Sequence, residues 1–168
     1  MDEQLETAIQ YAKKYLEDLL SFFGLNTDVY ATADEDVIEL SVPSTHLNGF
    51  LIGQHGDTMR SLQFIVSSAL KNTGHEYTRV NVDVADYKKQ RAHHLEETAE
   101  AWVKQVRGSG EPMHLRPMNA ADRRIIHKLA NENGLVTESE GEGRDRHVVL
   151  KPGSDKPDSG ETTASEAA

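Results

Sequence analysis

The stretch Leu51-Ile52-Gly53-Gln54-His55-Gly56 decides how this chain is read. Two glycines bracket two residues, and apolar periodicity runs on both sides. Before the glycines, Leu47, Phe50 and Leu51 belong to a short helix opened by Pro43 and Ser44, with Ser44 as its N-cap. After them, Asp57 caps a second helix bearing Leu62, Ile65, Val66, Ala69 and Leu70, which stops near Gly74. A glycine turn at such a junction has a chemical use. Without side chains it lets a phosphate backbone approach closely. The free N–H groups and positive end of the second helix face the same place. Leu51, Ile52 and Phe64 are then the candidates for an apolar groove beside it. Taken alone, Gly-x-x-Gly is most often only a turn, so its flanks have to decide.

Working outward, residues 3–23 read as an amphipathic helix, with Leu5, Ile9, Ala12, Leu16, Leu19, Leu20 and Phe23 at three-to-four spacing and Gly24 as its stop. Two short strands are expected at residues 27–32 and 37–42, joined through Asp34-Glu35-Asp36. Val80, Val82 and Val84 alternate with Asn81 and Asp83, as in a strand with one buried face. The order is helix, strand, strand, helix, Gly-x-x-Gly, helix, strand. In this order and with this loop, residues 3–85 resemble a KH domain of the bacterial, type II arrangement. The resemblance implies a clamp on about four nucleotides of a single strand, with bases in the apolar groove. Its site residues are Ile52, Gly53, Gln54, His55 and Gly56, with Arg60 one turn into the helix as the nearest firm cation. The two middle residues are often Lys or Arg in KH loops. Here they are Gln54 and His55, neither of them a Lys or an Arg.

The second half begins with a long helix capped by Asp86 and reaching about residue 107, with Ala92, Leu95, Ala99, Trp102, Val103 and Val106 as its stripe. Residues 113–115 suit a short strand. Pro117 and Asn119 introduce a helix over about 120–131, with Asp122 at its third position, where a carboxylate can satisfy free N–H groups. Residues 135–139 and 144–150 read as a hairpin around Glu140-Gly141-Glu142-Gly143. Arg123 and His127 are four apart on one face of the 120–131 helix. An arginine fork suits phosphate oxygens, and a histidine can bond phosphate or stack on a base.

The block Leu115-Arg116-Pro117-Met118-Asn119-Ala120-Ala121-Asp122-Arg123-Arg124-Ile125-Ile126-His127, with Arg146-His147-Val148-Val149 after it, closely resembles an R-three-H domain, named for its spaced Arg and His. KH followed by R-three-H is the order of the bacterial Jag family, also called EloR or KhpB. The resemblance covers about residues 3–152. Residues 153–168, rich in Gly, Ser, Thr, Pro, Asp and Glu, are expected to form a disordered acidic tail. The resemblance implies an α/β (α+β) fold with a KH domain at 1–85 and an R-three-H domain at 86–152. It implies binding of single-stranded RNA, with single-stranded DNA as a related ligand, through the loop and through Arg123, Arg124, His127 and Arg146. It also implies a post-transcriptional regulator or RNA chaperone linked to cell elongation and division. Its partner would be a small KH-only protein or a second copy. The alternative is a dimerisation module with residual nucleic-acid binding.

Composition tests these expectations. The net charge of −10 opposes a strongly electrostatic binder. Yet residues 1–43 hold 10 acids against 2 bases, whereas 44–85 hold 3 of each and 86–150 hold 11 of each. The excess sits near the ends, and screening over ~8 Å makes local patches matter more than the total. The chain has no cysteine, which excludes disulfides, thiol catalysis and thiolate metal sites. No apolar run suggests a leader or a span, so a cytoplasmic place without membrane contact is the expectation. His93, His94 and Glu97 share one helix face but do not close a zinc site by themselves. Neither a nucleophile motif nor a nucleotide phosphate loop is present. The expectation is a non-enzyme without metal or cofactor.

Overall fold

The computed structural model describes residues 3–153, and the tail expected at 153–168 lies outside them except for Gly153. The chain divides into two compact units between His93 and His94.

The first unit is built from α1 (Glu3–Phe22), β1 (Tyr30–Asp34), β2 (Val37–Val42), α2 (Asn48–Ile52), α3 (Asp57–Asn72) and β3 (Arg79–Val84). A short 3-10 turn, Gln54–Gly56, lies between α2 and α3. The sheet order is β1-β2-β3. β1 pairs antiparallel with β2, and β2 pairs parallel with β3 in the register Ile38↔Val80, Leu40↔Val82, Val42↔Val84. That register puts all six of those apolar side chains on one face, and each is buried. α1 covers the face with Leu5, Ala8, Ile9, Ala12, Leu16 and Leu20, and α3 does so with Met59, Leu62, Val66 and Leu70. Full burial of a Leu or Val contributes about 1.5–3 kcal/mol, so this shared core holds the glycine loop in place.

Four local expectations are corrected. β1 begins at Tyr30 rather than residue 27, because Val29 N–H is taken by the Glu17 carboxylate at 2.9 Å instead of by a strand. Ser44 is not an N-cap: α2 starts at Asn48, whose side chain closes a turn onto Ser44 Oγ at 2.8 Å and Thr45 N at 2.8 Å. Asp57 is the first residue of α3, and the capping position is Gly56, in the left-handed region. On the helix faces, Phe23 and Ile65 are exposed, and Met59 fills a core position that the periodicity passed over.

The second unit holds most of α4 (Tyr87–Ser109), then β4 (Met113–His114), α5 (Ala120–Glu132), β5 (Val136–Glu140) and β6 (His147–Lys151). A 3-10 turn at Gly143–Asp145 leads into β6, so Arg144 and Arg146 precede the strand. Its sheet is antiparallel, in the order β4-β6-β5. Leu95, Val103 and Val106 of α4, Ile126 and Ala130 of α5, and Val148 and Leu150 of β6 form its core, with Trp102 packed at the edge. Asn119 caps α5 by accepting from Asp122 N–H at 2.9 Å, and Asp122 is buried at the third helical position. Among the described residues no helix is long and apolar enough to cross a membrane.

Candidate nucleic-acid interface

In the first unit, the loop owes its shape to departures from helix geometry at three of its residues. Gly53 lies at φ 70°, ψ −172°, a region essentially restricted to glycine. His55 at φ 52° and Gly56 at φ 80° are left-handed. A Cβ on Gly53 would stand 2.9 Å from the Thr58 backbone nitrogen and would also collide with the Thr58 hydroxyl. A Cβ on Gly56 would stand 3.2 Å from the Tyr87 ring. Gly53 is therefore demanded by the protein's own packing, and Gly56 is favoured by its left-handed backbone, before any ligand is considered. The kink turns Gln54 and His55 outward, and both are exposed at the entrance of α3.

The structure sorts the predicted loop residues. Ile52 is half-buried, and Leu51 is wholly buried and cannot line a groove. Arg60 is exposed but pairs with the Asp57 carboxylate and donates to the His55 carbonyl at 3.3 Å. Its guanidinium ties the loop to the first turn of α3, and Asp57 offsets its charge. Phe64 is 72% exposed, as are the rings of Phe22 and Phe50 in large part. Phe23 and Phe50 meet edge-on with centroids 5.2 Å apart.

In the second unit, α5 presents Arg123 and His127 to β5. His127 Nδ1 lies 2.7 Å from Thr137 Oγ1, and Nε2 lies 2.8 Å from Ser139 Oγ. Both ring nitrogens are engaged inside the protein. Burial first, and the Arg123 charge second, hold the imidazole below its ordinary pKa, which favours its neutral form. The expectation from sequence is that His127 bonds phosphate or stacks on a base; in the structure its ring nitrogens meet the β5 hydroxyls. Arg123 Nη1 approaches Ser139 Oγ at 3.5 Å, while its buried Nε has no hydrogen-bond partner. Neighbouring Arg124 is exposed on the next face of α5. Arg146 is exposed too, and its carbonyl accepts from Met118 N–H at 3.1 Å. Thr137 and Ser139 were missed from sequence. Their signal was the alternation Thr137-Glu138-Ser139-Glu140, hydroxyls on one face and carboxylates on the other.

Residues 93–152 match the R-three-H domain family. Over most of its length the chain is similar to proteins named RNA-binding protein KhpB. The relative from Clostridium symbiosum is 33% identical over 147 residues, 86% of this chain and 66% of the relative. That from Lactiplantibacillus plantarum is 32% identical over 146 residues, 86% and 45% of the two chains. That from Bacillus subtilis is 28% identical over 145 residues, 84% and 69%. The chain thus spans between 45% and 69% of the length of these relatives.

Proposed function

Since the chain belongs to the Jag family of KhpB proteins, we propose that it binds single-stranded RNA at two places and catalyses no reaction. The observation that carries the proposal is Arg123, a cation held against the hydroxyl face of β5 with its Nε unsatisfied. An arginine fork so placed suits a phosphate, and Ser139 and Arg124 supply further donors. His127 acts indirectly, by fixing the Ser139 and Thr137 hydroxyls. The second place is the loop Gly53–Gly56 of a KH domain that we assign to residues 1–85, ahead of an R-three-H domain at 86–152. There, exposed Gln54 and the entrance of α3 meet backbone, and Ile52 borders the bases. The loop is weakly charged, so Arg123 carries the larger share of phosphate affinity. Two weak sites on one chain gain through effective concentration. By family likeness we extend the reading to a cytoplasmic post-transcriptional regulator or RNA chaperone serving cell elongation and division, paired with a small KH-only protein.

A second reading has its own support. The exposed rings of Phe22, Phe23 and Phe50 suit a protein partner, as expected of a dimerisation module. Fluorescence anisotropy with a labelled single-stranded RNA, beside gel filtration, separates the two. Saturable binding weakened by Arg123→Ala supports the RNA reading. A dimer with no RNA binding replaces it with the interaction module.

A further inference from the structure

The second unit brings three metal-ligating side chains to one patch on the sheet face turned away from α5. They are His114 of β4, His147 of β6 and Glu140 of β5. Glu140 lies directly opposite His147 in the ladder. His114 pairs with Val149, two residues beyond His147, so it lies diagonally across on the same face. The ligating atoms all fall within 4.8 Å of one another.

We propose that His114, Glu140 and His147 form a binding site for a zinc-class divalent cation. Nδ1 of His114 stands 3.4 Å from Nε2 of His147. Two imidazole nitrogens at about 2.0–2.1 Å from one tetrahedral zinc ion lie roughly 3.3–3.4 Å apart, so the pair is already at ligand spacing. The rings are tilted by 45° with centroids 5.6 Å apart, so the nitrogens meet without the rings stacking. His147 Nδ1 lies 3.0 Å from the Asp145 carbonyl oxygen. Donation there leaves the lone pair on Nε2, the arrangement by which metal-bound histidines are oriented. Glu140 Oε2 is 4.0 Å from His114 Nδ1 and, being part-exposed, closes on an ion by a small rotation. Its carboxylate brings the site to three ligands and offsets one of the two ion charges.

The site has a structural use. In the order β4-β6-β5, the outer strands do not touch, and β4 is only two residues long. An ion bridging His114 to Glu140 across His147 would tie all three strands together. Three protein ligands leave one position for water or an outside donor.

The test uses the full chain free of any histidine tag, titrated with Zn²⁺ by calorimetry and with Co²⁺ by visible absorption. One equivalent should bind, with the absorption of a tetrahedral cobalt centre. His114→Ala and His147→Ala should each weaken binding about tenfold or more, Glu140→Gln less, and His46→Ala, at an exposed residue between β2 and α2 of the first unit, not at all. All four positions are at the surface, and circular dichroism checks that each variant is folded. Absence of saturable binding, or binding unchanged in both His114→Ala and His147→Ala, would overturn the proposal. The latter outcome would show that the ion is held by other side chains.

Discussion

His127 Nε2 stands 2.8 Å from the Ser139 hydroxyl, so the histidine of the Arg-x-x-x-His pair works as a strut between α5 and β5. In the proposed reading Arg123 is the member of the pair that meets the RNA, since its Nε has no hydrogen-bond partner. Arg123→Ala should cost about 1–3 kcal/mol of single-stranded RNA affinity, roughly 5- to 150-fold, with unfolding midpoints little changed. Anisotropy and urea melts measured side by side check this. Equal losses of affinity and stability would make Arg123 a structural residue.

The strut also sets a pH dependence. His127 is held below its ordinary pKa, so the unfolded chain takes up its proton first, near pH ~6.5. Above that pH both states are neutral and nothing is lost. As pH falls through about 6.5 toward the depressed folded value, stability of the second unit should decline. His127→Gln should flatten that decline. Denaturation midpoints of both proteins, followed through Trp102 fluorescence from about pH 8 to about pH 5, give the comparison. Parallel curves would remove His127 as the cause.

Gly53 is expected to be required for folding of the first unit. Its conformation and its approach to Thr58 predict that Gly53→Ala destabilises by about 1–3 kcal/mol or more. Chemical denaturation of the variant measures it directly. A neutral result would mean that the loop can relax away from Thr58.

Gln54 offers the cleaner probe of ligand contact, since it is exposed, whereas Gly56 is buried against Tyr87. Gln54→Lys should tighten RNA binding and steepen its salt dependence by about 0.7 in log–log slope, the share of one added phosphate contact. Gln54→Glu should weaken binding. Titrations at several salt concentrations read both effects, and indifference to either charge would place the RNA elsewhere.

The element order was legible because each segment had its own period. Valines at every second residue marked β3, and Leu5 through Leu20 marked α1. The start of α5 was legible for the same local reason, with Asn119 three residues ahead of the N–H it caps. What escaped depended on partners distant in sequence. The start of β1 was set by Glu17, and the crowding at Gly56 comes from the ring of Tyr87. In the candidate site, Arg123 and His127 were visible by their spacing, but the inward turn of the imidazole came from β5. His114, Glu140 and His147 had no readable spacing at all, because only the β4-β6-β5 order places them together.

The hairpin between β5 and β6 has the sign of a surface in its keeping. Glu138 and Glu140 stand one step out of phase with Thr137 and Ser139. A slip of one residue would rotate two carboxylates under Arg123 and His127 and neutralise the cation. Gly141 stands guard over that phase. At φ +81° its missing Cβ leaves room for the Asp145 carbonyl, which would otherwise be 2.8 Å away. A lengthened turn there could spare every residue of the Arg–His pair and still abolish their polarity, so indels at this bend should be as damaging as substitutions on the helix itself.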